Sequence, residues 1–321
     1  MTSYLVTGGT GALGQALVQR LLDDGAERVA VFSRDEHKQQ RMAEAFGQTG
    51  LATSDRLRFF LGDVRDRERL SRACVGVDAV IHAAALKVVP SLEYNPGEAV
   101  KTNVYGAQNV IEAALDRGVR RVVAISSDKA CEPLNIYGAS KLCAEKLITA
   151  AQEYGGNATT FSALRYGNVT GSTGSVVPAW AALAAKGFPI PITDPAMTRF
   201  WITLHDAVDL VIYALKHAEG GEVFVPKLPA YSVLDLAQAL APGHATVITG
   251  IRPGEKLHES LIGEHEVPFA RDLGEHYALL RPGAERGEPL RAGFRYRSDA
   301  GPQLSILELR ARLGMVKAAV A

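Results

Sequence analysis

The stretch Gly8-Gly9-Thr10-Gly11-Ala12-Leu13-Gly14 constrains this chain more than any other. An apolar run, Tyr4–Thr7, precedes it, and a helical pattern through Leu17, Val18, Leu21 and Leu22 follows, ending at Gly25. In a strand–loop–helix unit each glycine has a task. Gly8 permits the tight turn, Gly11 lets the backbone approach a pyrophosphate, and Gly14 lets the helix pack closely on the strand. The helix N-terminus offers free N–H groups and a positive dipole end to phosphates. A plain glycine turn is the alternative, but the flanking strand and helix favour a dinucleotide site.

The second strand, Val29–Phe32, ends in Ser33-Arg34-Asp35, with Lys38 one helical turn beyond Arg34. An acidic residue here usually binds the ribose 2′-OH of NAD, whereas an Arg accommodates the 2′-phosphate of NADP. The hydroxyl and the Arg favour NADP. Asp35 keeps NAD open, and Arg34 and Lys38 as solvated charges are the bland alternative. A third strand, Arg58–Leu61, leads to Asp63 and Val64, placed to meet the adenine. A fourth, Asp78–Ala83, runs into Ala83-Ala84-Ala85, small enough for a cofactor to lie close over the sheet. His82, with apolar neighbours, reads as packed core. A helix is expected over Glu98–Arg117, with Asn103 supporting the catalytic shell, then a fifth strand over Arg121–Ile125 and a sixth over Thr159–Tyr166. Repeated alternation of strand and helix predicts an α/β fold with a Rossmann-like, doubly wound parallel sheet.

The chemistry concentrates in Ser126–Lys146. Tyr137 and Lys141 are four apart, so on a helix they share a face. They would lie beyond the carboxyl end of the fifth strand, where open α/β sheets bind ligands. A tyrosine titrates near pH 10, and a neighbouring ammonium lowers that value. Just upstream stand Ser127, Asp128 and Lys129. Adjacent groups of opposite type can divide acid and base roles; a surface ion pair is the alternative. Cys131 lies within the stretch but has no evident base, and Glu145 and Lys146 are expected on the solvated face of the helix.

The chain has 321 residues, 47% hydrophobic and 22% charged, with zero formal net charge. No broad basic surface is implied, which argues against a nucleic-acid partner. Cys74, Cys131 and Cys143 fit neither a disulfide framework nor a zinc site. No apolar run is long enough to cross a bilayer and the N-terminus does not read as a signal peptide, so a cytoplasmic protein is expected. Beyond Val169 a loop, Gly171–Ser175, and prolines at 178, 189, 191 and 195 change the texture. The expected organisation is a cofactor domain over 1–168, rejoined by 200–226, and a smaller mixed C-terminal substrate domain over 169–199 and 227–321. Short helices are expected at Val233–Leu240 and Leu304–Leu313.

The glycine loop and the Tyr137–Lys141 pair together resemble the extended short-chain dehydrogenase/reductase superfamily over nearly the whole chain. Ser127-Asp128-Lys129, with a short spacing to Tyr137, is similar to the soluble inverting UDP-N-acetylglucosamine 4,6-dehydratases that begin the pseudaminic acid pathway. Ser33–Glu36, His82–Lys87, Arg165–Asn168, Met197–Trp201 and Arg252–Lys256 extend that similarity. Tyr137 stands where the membrane-bound retaining relatives typically carry methionine.

The resemblance implies oxidation at carbon 4, loss of water across carbons 5 and 6, and hydride return to carbon 6. Tyr137 would take the 4-hydroxyl proton, Ser127 would bond the same oxygen, and Lys141 would reach the nicotinamide ribose. Lys129 would be the base at carbon 5 and Asp128 the acid at the 6-oxygen, although the residues alone do not say which does which. Lys87, Asn103, Tyr166 and Asn168 would join the cofactor site. Arg199 and Arg252 would bind the diphosphate, since Arg matches phosphate geometry. Asn168 and Ser175 would donate to it, Glu255 would accept from the uridine ribose, and Lys87, Val176 and Thr193 would complete the UDP-sugar site. Members commonly form homo-oligomers. The alternatives are a 4-epimerase, a 4,6-dehydratase for another nucleotide sugar, or a non-catalytic NADP-binding regulatory module, a class that usually loses the tyrosine or the lysine.

Overall fold

The computed structural model describes residues 2–48, 55–156, 158–170 and 176–315. The first half alternates as expected: β1 (Ser3–Thr7), α1 (Ala12–Asp23), β2 (Arg28–Ser33), α2 (Glu36–Gln48), β3 (Leu57–Leu61), α3 (Arg67–Ala73) and β4 (Ala79–His82). All of β4, and β2 beyond Arg28, is buried. Near-continuous apolar strands of this kind are covered on both faces. Next come α4 (Val89–Tyr94), α5 (Pro96–Ala99), a π-helical turn over Val100–Tyr105, α6 (Gly106–Asp116), β5 (Arg121–Ile125), a 3-10 turn over Asp128–Ala130, α7 (Ile136–Gly155) and β6 (Thr160–Leu164).

The expected single helix over Glu98–Arg117 is therefore interrupted. The π turn contains Asn103, whose amide donates to the Leu86 carbonyl (3.0 Å) and Ser140 Oγ (3.0 Å) while its oxygen accepts from Leu86 N–H (2.8 Å). One wide turn thus turns a buried polar side chain toward β4's exit and α7; π turns often mark functional sites.

The second half contains α8 (Val176–Ala185), β7 (Ile190–Ile192), β8 (Thr198–Phe200), α9 (Leu204–His217), β9 (Val223–Pro226), β10 (Ala230–Ser232), α10 (Val233–Leu240), β11 (Thr246–Ile248), β12 (Ser260–Ile262), β13 (Ala270–Asp272), β14 (His276–Leu279), β15 (Glu288–Pro289), β16 (Tyr296–Arg297) and α11 (Ile306–Arg312). A ten-stranded sheet runs β15-β13-β14-β9-β6-β5-β4-β1-β2-β3. From β3 to β9 the pairs are parallel. This is a Rossmann-like doubly wound sheet, and its order reverses between β1 and β4, the switch point where such sheets bind ligands.

β9 rejoins the sheet beside β6. The range 227–321, expected with the small lobe, divides instead: β14 pairs antiparallel with β9, and β13 and β15 follow it outward. Strands of two to four residues carry no cue to their partner; the open edge of β9 supplies it. A separate, smaller core gathers Trp180, Ile190, Trp201, Tyr231, Leu236 and Leu309. Among the described residues no helix is long and apolar enough to cross a membrane, and no His/Cys/Asp/Glu group could hold a metal ion.

Candidate active site

The glycine loop is a cradle that side chains would fill. Gly8 has φ +68, and a Cβ there would lie 2.8 Å from Ala84 N and 2.9 Å from its Cα. The loop thus rests on the small Ala83-Ala84-Ala85 exit of β4. A Cβ at Gly14 would lie 2.5 Å from Gly9 Cα, so α1 packs on the loop's own backbone rather than on the strand as expected. At Gly11 a Cβ would meet only Gly8 O, at 3.3 Å, and this N-cap of α1 makes no side-chain cap bond. The N–H groups of the first turn, Ala12 and Leu13 among them, stay available to phosphate. Thr10, just before it, is buried. These features fit a nicotinamide dinucleotide.

At the β2 end, Ser33 Oγ accepts from Gln39 (3.0 Å), Arg34 lies 3.5 Å from Asp63, and Lys38 lies 3.7 Å from Asp35. Partial burial raises the Asp63 carboxyl, but Arg65, at 2.8 Å, outweighs it and holds it below its usual range. Val64 is buried against Gly106 and serves packing. Asn103, expected at the cofactor, spends its amide on Leu86 and Ser140 as described; it braces the site without facing it. Lys87 is exposed on the segment entering α4.

The stretch expected to be catalytic is built by local capping. Ser127 caps the 3-10 turn, its Oγ accepting from Lys129 N–H at 3.3 Å and donating to Asp128 Oδ1 at 2.9 Å. Asp128 N–H bonds the Tyr166 carbonyl, which fixes the turn to the end of β6. Asn135 caps α7 by accepting from Gly138 N–H (2.8 Å). A Cβ at Gly138 would lie 2.2 Å from Lys129 O, so only glycine lets α7 press its Tyr137 turn onto the Asp128–Lys129 turn.

Lys129 Nζ donates to Asp128 Oδ1 (3.1 Å) and Asn168 Oδ1 (3.3 Å) and lies 3.4 Å from Glu259. Burial works against its charge, but Asp128 and then Glu259 prevail over burial and Arg199, so its pKa is raised and it is firmly an ammonium ion. Burial pushes the Tyr137 phenol up, opposed by Ser127 and Lys129. The expectation that Lys141 depresses Tyr137 is not met. Lys141 donates to the Ile125 carbonyl, and burial brings it down to about 8, with Glu145 opposing. The cationic neighbour of the phenol is Lys129. Tyr166, buried nearby, is likewise raised by burial and then by Tyr137.

The small lobe supplies the opposite wall. A cavity is lined by Lys129, Asn168, Arg199, Arg252, Glu255 and Glu259, among others. Arg252 Nε lies 3.4 Å from Glu255 and its side chain is largely exposed, free to reach a phosphate. Arg199 differs from expectation: it donates to the carbonyls of Thr198 (2.7 Å), Leu257 (3.1 Å) and Lys256 (3.1 Å) and approaches Glu259 at 3.7 Å. With these donors spent, it is a brace of the cavity wall. Thr193 follows β7 half-buried, Val176 opens α8 exposed, and neither lines the cavity. Ser175 lies outside the described residues. A hollow between α10 and α11, including Ala237, His244 and Arg310, contains none of the expected residues.

Glu145, expected in solvent, is 2% exposed and binds Arg165 at 2.5 Å. Glu266 binds the other side of Arg165 at 2.7 Å. Burial pushes the neighbouring Cys131 thiol up, so it is inert, as its lack of a base suggested. Sequence reasoning missed Glu259, although the acidic residue after Arg252–Lys256 was a weak signal.

The model of the polysaccharide biosynthesis protein family matches residues 4–280. The chain belongs to this family. Its fold is that of the extended short-chain dehydrogenase/reductases. A Campylobacter jejuni relative, "UDP-N-acetylglucosamine 4,6-dehydratase (inverting)", is 46% identical, covering 94% of this chain and 93% of its own. A Rickettsia canadensis relative called "UDP-glucose 4-epimerase" is 41% identical, covering 88% of this chain and 84% of its own. The X-ray structure of Pen from Bacillus thuringiensis superposes with a TM-score of 0.90 at 38% identity, covering 97% and 96%.

Proposed function

We propose that the protein is a UDP-N-acetylglucosamine 4,6-dehydratase that inverts carbon 5, with NADP as its cofactor. The observation that carries this reading is the Asp128–Lys129 ion pair, with Asp128 buried, Lys129 opening into an Arg-bearing cavity and the Tyr137 phenol beside it. A nicotinamide dinucleotide held by the Gly8–Gly14 loop would supply the hydride acceptor for carbon 4 and the hydride donor for carbon 6. Tyr137 takes the 4-hydroxyl proton, with Lys129 and Ser127 stabilising the phenolate. Arg252 holds the diphosphate and Arg34 the cofactor's 2′-phosphate.

The Asp128–Lys129 pair then performs elimination. At rest it is a carboxylate and an ammonium ion joined by a 3.1 Å hydrogen bond. Passage of that one proton to Asp128 leaves a neutral amine and a carboxylic acid. Lys129 takes the carbon-5 proton, made acidic by the carbon-4 ketone. Asp128 gives its proton to the 6-oxygen, which leaves as water. The pair ends as it began; once hydride has returned to carbon 6, carbon 5 takes a proton from solvent on the opposite face and Tyr137 releases the proton it took from the 4-hydroxyl, so the protons balance.

Proton NMR of UDP-N-acetylglucosamine turnover in deuterated water tests the reading. A 4-keto-6-deoxy product with deuterium at an inverted carbon 5 is expected; retention at carbon 5 or no turnover of this substrate overturns it. A 4-epimerase is the second reading, favoured by the Rickettsia relative. An epimerase has no use for the acid–base pair, so changing Asp128 and Lys129 together to Ala spares it and abolishes elimination.

A further inference from the structure

Glu259 sits between Arg252 and β12, only 2% exposed. Its Oε1 lies 3.4 Å from Lys129 Nζ and 3.7 Å from Arg199 Nε, while its Oε2 is buried with no hydrogen-bond partner. Both ends of its backbone are fixed by Ser298: Glu259 N–H donates to Ser298 Oγ at 3.0 Å, and Ser298 N–H donates to the Glu259 carbonyl at 2.8 Å. Ser298 Oγ is in turn 2.7 Å from Thr198 Oγ1, which is 2.8 Å from His258 Nδ1. The small lobe is thus built to bring one carboxylate to the lysine of the large lobe.

An unsatisfied buried carboxylate oxygen is costly. The same fold fills every acceptor when a buried carboxylate is structural, as Glu145 and Glu266 show on Arg165. At Lys129 the arrangement is different: two carboxylates flank one ammonium, and only Asp128 is placed beside it in the same turn.

We propose that Glu259 is a positioning residue that holds Lys129 as its ammonium ion and so sets the pH at which the carbon-5 proton can be removed. This rests on the base role proposed above for Lys129. Lys129 is faced by Asp128 and Asn168 beside the catalytic turn, Tyr137 from α7, Tyr231 from β10, Arg199 from β8 and Glu259. Of these, Asp128 and Glu259 carry the negative charge. Asp128 takes the proton productively; Glu259 opposes its departure.

The sign follows directly. Carbon-5 exchange, unlike loss of the 6-oxygen, needs no acid: besides the internal transfer to Asp128, whose population does not depend on pH, Lys129 also becomes the neutral amine by losing its proton to solvent, and that route makes exchange rise with pH. Removing the Glu259 carboxylate lowers the Lys129 pKa, and the rising limb moves to lower pH. In Glu259→Gln, with NADP bound and UDP-N-acetylglucosamine in deuterated water, the limb is expected to shift down by about one unit. That is about a tenfold faster exchange at a fixed pH on the limb. In Glu259→Asp the carboxylate stays but is drawn back, and the limb falls between the two. A limb unmoved in a variant that still binds NADP overturns the inference, since a structural role would depress exchange equally at every pH. If Glu259→Gln does not fold, Glu259→Asp decides by the same criterion. Lys129→Gln separates the two claims: exchange that survives it with an unaltered profile overturns the base role itself, whereas exchange lost in Lys129→Gln with an unmoved limb in Glu259→Gln overturns only Glu259.

Discussion

Two buried charge clusters join the lobes, and they are built on opposite principles. Around Arg165 the guanidinium is 0% exposed, and its nitrogens meet Glu145, Glu266 and the Leu261 carbonyl at 2.5 to 3.2 Å. Every donor has its acceptor, and the geometry is the bidentate fork that suits arginine. Around Lys129 the cation is a point charge between two carboxylates, one of which keeps an oxygen without a partner. The first cluster has one stable proton arrangement. The second rests with its proton on Lys129, one 3.1 Å hydrogen bond away from Asp128. Satisfied buried charge fixes a structure; incompletely satisfied charge can do chemistry.

Substitutions should separate the two. The largest effect is expected for Lys129→Gln: elimination falls by about 10²- to 10⁴-fold, the range of general acid–base catalysis, and the thermal midpoint falls as well, since Asp128 and Glu259 lose their shared cation. Product formation by NMR and a melting curve on one sample check both halves. Arg165→Met should cost stability alone, since Arg165 is spent on Glu145, Glu266 and the Leu261 carbonyl. It leaves Glu145 and Glu266 facing each other without a cation and should lower the unfolding free energy by about 3–5 kcal/mol in denaturant titration. If Arg165→Met leaves stability intact, the contrast between the clusters is wrong.

A third buried polar pair belongs with the Arg165 type. His82 Nδ1 meets Thr7 Oγ1 at 2.8 Å, and burial, then the charge of Lys141, brings the imidazole down to about 3. The unfolded chain takes up a proton below pH 6.5 that the native state refuses until about 3. Stability is therefore lost as pH falls through that window, by about 2 kcal/mol between pH 6.5 and 5. His82→Gln should remove this component, so the stability gap between the two proteins narrows as pH drops. Equal slopes in urea titrations at pH 7 and 5 would count against a neutral buried imidazole. The smallest effect sharpens the cofactor reading: Arg34→Ala should weaken NADP binding about tenfold, ~1.4 kcal/mol, and leave NAD binding nearly unchanged, measured by fluorescence titration.

Much of this was legible in the chain because it is local. The Gly8–Gly14 loop, the Tyr137–Lys141 spacing and the Ser127–Lys129 turn each lie within a few residues, where backbone geometry alone decides which groups share a face. The strand alternation predicted the parallel sheet for the same reason. Less visible were side chains whose environment another segment supplies. Glu145 lies on the same helix as Tyr137, and only Arg165 and Glu266 make it an interior residue. Asn103 was expected both to support the catalytic shell and to join the cofactor site; the π turn gives it the first role, on Leu86 and Ser140. Arg199 was read as a phosphate ligand, but nearby carbonyls had taken its donors.

The sequence by itself determined the glycine cradle and the Ser127–Lys129 turn beside Tyr137, since short-range spacing is enough to place them; it did not determine that Lys129 rather than Lys141 is the cation at the phenol. The tertiary structure alone decided which charges surround that turn. Glu259 meets Lys129 because the small lobe, pinned through Ser298 and Thr198, closes over the end of the sheet. Long-range electrostatics leaves no periodic trace in the chain, so the group that governs the lysine's proton emerged only with the fold.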